Sequence, residues 1–212
     1  MGKIKDGILG GFSGKVGTVV GAKWRGIDTM RAVPEPRTSP PSPKELAQQK
    51  KMALVSTFLQ PMRELLEIGF RDYTVGKTGS NIAQGLVMKN ALGGIYPDLY
   101  IACNRVMVCQ GYMPNVEEAI AESIVTEQVR FNWADGERFG KADPNDKAIL
   151  VVTCHSLMHC AYTLTGAPRS AGAGTLHVPG YSGREVQTWL SFMSKDGKDI
   201  ATSIFTGQFV VA

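Results

Sequence analysis

Five prolines fall within the eleven residues Val33 to Pro43, VPEPRTSPPSP. Proline fixes φ and lacks the amide proton that a helix interior or a central strand requires. No regular element runs through such a stretch, so the segments on either side must find their own structure. Residues 34–43 are expected to form an extended, semi-rigid linker. On this reading residues 1–33 are a glycine-rich basic arm, residues 44–96 a helical region and residues 97–212 an antiparallel β-sandwich. The expected fold class is α+β, with an immunoglobulin-like sandwich at the C-terminal end.

The helical region has clear punctuation. Ser42-Pro43-Lys44-Glu45 is a capping box with proline at the first helical position. Met52, Val55, Leu59, Met62 and Leu66 follow at intervals of three or four, an apolar stripe along one helix face. Pro61 should kink or split that helix, and Gly69 should end it. A further helix is expected from about Asn81 to Leu92, capped by Ser80 and stopped by Gly93-Gly94.

Beyond that point the period changes to two. LYIACNRVMVCQG, VTEQVRFNWAD, AILVVTC, HCAYTLTG, TLHVPG, EVQTWLSFMS and SIFTGQFVVA read as strands, and SKDGKD as a hairpin turn. Short strands at this spacing suggest a sandwich. Val186, Thr188, Leu190 and Phe192 should share one face of their strand, and Gln187, Trp189, Ser191 and Met193 the other. Both faces are largely apolar, so this strand is either central or meets a partner.

Composition excludes several classes. Hydrophobic residues make up 43% of the chain and charged residues 20%, an ordinary globular balance. No apolar run reaches the roughly 18–20 residues of a membrane span. Glycines and Lys15 break up the N-terminal apolar residues, which argues against a secretory leader. Asp6 stands where a myristoylation signal has Ser or Thr. Four cysteines in 212 residues are not a disulfide scaffold. The expected location is therefore cytoplasmic or within a virion. The net charge of +4 is uneven: residues 1–51 hold ten Lys/Arg against four acids, a local +6 that leaves −2 for the rest. A basic front end on a slightly acidic body points to an acidic partner.

The glycine-rich stretch GGFSGKVGTVVGAKWRG, residues 10–26, superficially resembles a phosphate-binding loop. It fails the P-loop pattern twice, because Val16 follows Gly14-Lys15 and the required earlier glycine is Leu9. VGKTGS at 75–80 fails as well, with Arg71 where glycine is needed. The stretch instead reads as an assembly arm. Phe12, Val19, Val20 and Trp24 are its apolar anchors, and Lys15, Lys23 and Arg25 its charged rim. The same cations with Phe12 and Trp24 interleaved could bind a nucleic-acid strand by stacking and phosphate contact. CHSLMHC, with Cys154, His155, His159 and Cys160, holds zinc-ligand residue types. Neighbouring strand residues point to opposite faces, so one local segment supplies all four ligands poorly. Glu117, Glu118 and Glu122 read as a solvated acidic face that could receive a neighbour's basic arm.

GILGGFSGKVGTVVGAKWRGIDTMRAVP, FLQPMRELLEIGFRDY, NALGGIYPDLYIACNRVMVCQG and WLSFMSKDGKDIATSIFTG span nearly the whole chain. Together they resemble a domain-of-unknown-function family of proteins of about this length, widespread in Bacteroidetes bacteria. The resemblance assigns no catalytic residue, and it implies a bacterial or phage-related protein. The expected function is non-enzymatic: a structural protein that self-assembles through its arm, as a component of a phage-like particle, ring or filament. Its expected partners are further copies or other structural proteins, with nucleic acid as the alternative. No cofactor, membrane or small-molecule substrate is expected.

Overall fold

The computed structural model describes residues 3–4, 11–24, 26–36, 38–134 and 142–212. The chain divides into two units, Met1–Pro43 and Lys44–Ala212. The first is an antiparallel meander of β1 (Lys3–Ile4), β2 (Phe12–Val16), β3 (Val19–Trp24) and β4 (Ile27–Ala32), in that order. What reads from sequence as an arm is thus a folded sheet. The reason is turn chemistry. Val16 pairs with Val19 and Trp24 with Ile27, so each hairpin closes over two residues. Gly17 and Gly26 supply the positive φ angles, 58° and 87°, that such turns demand.

The second unit starts with helix α1 (Pro43–Leu59), which opens at the proline of the capping box. Pro61 sits in a short 3-10 turn that breaks the helix before α2 (Arg63–Gly69), as its missing amide requires. Val55, Leu59, Met62 and Leu66 are buried, but Met52 is exposed, so the apolar stripe engages only the second half of α1. Helix α3 (Gly79–Asn90) begins two residues earlier than the sequence suggests. Its cap is Thr78, whose hydroxyl accepts from the Asn81 amide at 3.1 Å. A separate hairpin follows, β5 (Leu92–Ile95) with β6 (Asp98–Ile101).

LYIACNRVMVCQG was expected to be one strand, and it is not. After β6 the chain makes a 3-10 turn at Cys103–Arg105. Val106, Val108 and Cys109 are then buried without joining a ladder. The Val108 and Cys109 amides donate to the Ser203 hydroxyl at 2.9 and 3.2 Å, which satisfies them as a sheet partner would.

The sandwich strands are β7 (Ala119–Glu122), β8 (Gln128–Trp133), β9 (Lys147–Cys154), β10 (His159–Thr163), β11 (Ala173–His177), β12 (Glu185–Met193) and β13 (Ile204–Val210). One sheet runs β10-β9-β12-β13 and the other β11-β8-β7. A constant-type immunoglobulin sandwich places its fourth strand beside the fifth. Here the fourth strand, β10, pairs with the third, β9, so the immunoglobulin-like label is not confirmed, while the mixed α+β class holds. Alternation along β9 and β12 explains the two apolar faces. Leu150, Val152, Leu190 and Phe192 pack toward the three-stranded sheet with Phe131 and Trp133. Ile149, Val151 and Trp189 pack toward the helices with Leu59, Met62 and Phe70. β12 is therefore central and covered on both sides within its own unit. No described helix is long and apolar enough to cross a membrane.

Candidate functional site

Pairing register converts the N-terminal composition into surfaces. Residues opposite one another in an antiparallel pair point to the same side, and neighbours along a strand point to opposite sides. Gly14, Gly21 and Met30 are abreast, as are Val16, Val19 and Ala32. That face also carries Phe12, whose ring lies over Gly21, and Lys23, which pairs with Asp28 at 4.0 Å. On the opposite face Lys15, Val20 and Arg31 are abreast, then Ala22 with Thr29, then Trp24 with Ile27. The candidates named from sequence are thus split. Phe12, Val19 and Lys23 lie on one face, and Lys15, Val20 and Trp24 on the other. Arg25 lies outside the described residues.

The two faces differ electrostatically. The first is apolar with one internally matched ion pair. The second carries Lys15 and Arg31, with no acid beside them among the described residues. The unit as a whole holds seven Lys/Arg against three acids, which accounts for the entire net charge of the chain. Trp24, Ile27 and Met30 are 50%, 61% and 69% exposed. A sheet with apolar side chains on both faces ordinarily buries at least one of them against a second layer, and among the described residues this unit contains no second layer.

The CHSLMHC hairpin does not gather its four residues. Cys154 faces the three-stranded sheet and Cys160 faces the helices, because they occupy alternate positions of paired strands. His155 stacks on Phe58, ring centroids 4.4 Å apart. Its Nε2 is 3.1 Å from the Phe58 carbonyl oxygen, which can only accept, so Nε2 carries a proton. Its Nδ1 lies 2.8 Å from the Gln187 side-chain amide. Nε2 thus ties the hairpin to α1 and Nδ1 ties it to β12, so both ring nitrogens are engaged. His159 Nδ1 lies 2.6 Å from the Tyr181 hydroxyl. Burial raises the Tyr181 phenol, with the neighbouring thiols of Cys160 and Cys154 adding to it. Burial likewise pushes the Cys160 thiol up to about 11, the reverse of an activated nucleophile. No group of three or more His, Cys, Asp or Glu side chains among the described residues could hold a metal ion.

The second phosphate-loop lookalike is resolved by a side chain distant in sequence. Glu67 accepts from the Gly79 amide at 3.0 Å and from the Ser80 amide and hydroxyl at 3.2 and 3.1 Å. The N-terminus of α3, where a phosphate would sit, is already occupied by a carboxylate.

Residues 11–207 match a family described as a family of unknown function, DUF6266. The chain belongs to this family. No curated protein and no solved structure matches it. The DUF6266 match begins at Gly11, one residue before β2, and ends at Gly207 within β13. It takes in both units, so the exposed meander is as much a part of the family pattern as the sandwich is.

Sequence reasoning about this DUF6266 chain missed two features. The acidic stretch at 117–122 contains β7, with Ala119 and Ala121 turned inward and Ile120 and Glu122 outward. The alternation AIAE is the signal that could have found it. The other is a buried charged node. Arg169 places its guanidinium 4.2 Å from the Phe192 ring centroid, donates from Nη2 to the Pro114 carbonyl at 2.7 Å and sits 3.6 Å from Asp146. Burial lifts the Asp146 carboxyl above its usual range, against the pull of the Asp143 amide and Arg169. Its partners are too far apart in sequence for any local pattern to reveal it.

Proposed function

We propose that this protein is a non-enzymatic assembly component whose N-terminal meander joins it to further copies or to other structural proteins. The supporting observation is the single-layer sheet with Trp24, Ile27 and Met30 exposed, tethered by a proline-rich segment to a unit that has its own two cores. A phage-like particle, ring or filament is the setting such a module suits, in the cytoplasm or in a virion. The test is light scattering after gel filtration, at low and high salt, on the full chain and on a chain starting at Pro43. The expected result is a large oligomer from the full chain that survives salt, and a monomer from the shorter one. Two monomers overturn the reading.

One observation favours a second reading. The face carrying Lys15, Arg31 and Trp24 combines cations with an exposed ring and has no acid among the described residues, a combination that suits a nucleic-acid strand. That reading requires binding to a labelled single-stranded oligonucleotide that weakens steeply as salt rises.

A further inference from the structure

This inference rests on the assembly reading and names the surface that receives the meander. We propose that the cationic face of the N-terminal sheet docks on the outward face of β7 in a second copy of the chain.

The two surfaces match in pattern. On the meander, Lys15, Val20 and Arg31 stand abreast on three adjacent strands, cation, apolar, cation. Adjacent strands are about 4.8 Å apart, so the two cations flank Val20 across roughly 10 Å. On β7 and the residue before it, Glu118, Ile120 and Glu122 are exposed at alternate positions, acid, apolar, acid. Alternate strand residues are about 6.6 Å apart, so the two carboxylates flank Ile120 across roughly 13 Å. Long flexible side chains bridge the difference.

The apolar parts match as well. Trp24 and Ile27 lie further along the meander face, and Ile120 and Ile124 are 62% and 69% exposed at the receiving surface. Arg130 stands across from Glu122 on β8 and donates from Nε to Asn132 at 3.2 Å, and Asn132 donates from Nδ2 to Glu122 at 3.2 Å, which leaves the second carboxylate oxygen of Glu122 for a neighbour's cation. Against Glu117, Glu118 and Glu122, Arg130 leaves the patch acidic. The opposite face of the meander has no such complement, because its Lys23 is already matched by Asp28. The proline-rich tether of eleven residues reaches about 34 Å at 3.1 Å per residue, enough to place the sheet on a neighbour. The two surfaces differ, so a contact passed from copy to copy generates a ring or a filament, and reciprocal exchange between two copies closes a dimer.

The experiment uses two full-length variants. One carries Lys15→Glu and Arg31→Glu, the other Glu118→Lys and Glu122→Lys. All four side chains are exposed, and circular dichroism verifies that both variants fold. Each variant alone should need at least about tenfold more protein to assemble than the parent, since like charges then face each other. An equimolar mixture should assemble at the parent's concentration, because each variant restores the other's contact. If either variant assembles alone as the parent does, or if the mixture stays dissociated, the β7 docking site is overturned while assembly through the meander stands. A parent chain that is monomeric at every concentration overturns both.

Discussion

Arg169→Met tests the buried node that ties the loops at 114 and 146 to the sandwich core. Arg169 and Asp146 are 2% and 1% exposed, so water cannot replace what the substitution removes. Methionine keeps most of the apolar stem but loses the charged hydrogen bond to Pro114 and the stacking on Phe192, and it strands a carboxylate in the interior. Breaking a buried pair from one side costs about 3–5 kcal/mol. With a urea slope of about 2 kcal/mol/M, the unfolding midpoint should fall by roughly 1.5–2.5 M. The pH dependence gives a second readout. Asp146 is already held above the usual carboxylate range by burial, and removing Arg169 withdraws one of the influences that lower it. A carboxyl whose folded pKa lies above its unfolded value favours the fold below the unfolded pKa. That contribution is lost as pH rises through the folded pKa. The deficit of Arg169→Met should therefore be largest at pH 7 and shrink toward about pH 4, and adding Asp146→Asn should flatten it. Fluorescence in a Trp24→Phe background, where only Trp133 and Trp189 report, confines the reading to the second unit. A loss below about 1 kcal/mol at pH 7, or a deficit that grows on acidification, refutes the reasoning.

Two further outcomes follow from groups already described. Glu67→Ala removes the carboxylate that caps α3 and should cost about 1–2 kcal/mol, seen as a fall of roughly 4 °C in Tm, with Glu67→Gln intermediate; an unchanged Tm contradicts the cap. Burial pushes the Cys109 thiol up to about 12 and Cys160 up to about 11, so iodoacetamide at pH 8 should leave both unmodified in the native protein and reach half-buried Cys103 first. Mass mapping that finds Cys109 or Cys160 labelled without unfolding contradicts this.

Much of the second unit was legible because its signals are local. The capping box, Pro61 and Gly69 each act within one turn, and the structure places helix ends or breaks beside them. The alternation of Val186 to Met193 identified a strand with two apolar faces, and the choice between central strand and partner contact resolves to the central strand. What stayed hidden depends on distant residues. The amides of Val108 and Cys109 look destined for a ladder until Ser203 supplies their acceptor. Ser80 looks like a helix cap until Glu67 claims it.

The N-terminal unit shows how far composition alone reaches. Its positive charge and its aromatic and β-branched residues are visible without a structure, and they already suggest an acidic partner. Which of them act together is not visible, because side chains alternate with a period of two and a one-residue change in register moves every residue to the other face. The register is set by two turns, at Gly17 and at Gly26. It places Lys15 beside Val20 and Arg31, and it cancels Lys23 against Asp28 on the reverse side. The six described candidates thus divide between one cationic face and one neutral face. Among the described residues, the cationic face is the one whose pattern matches Glu118, Ile120 and Glu122 on and beside β7, as the docking proposal requires. Exchanging charges on that face should therefore disturb assembly far more than Lys23→Glu on the other.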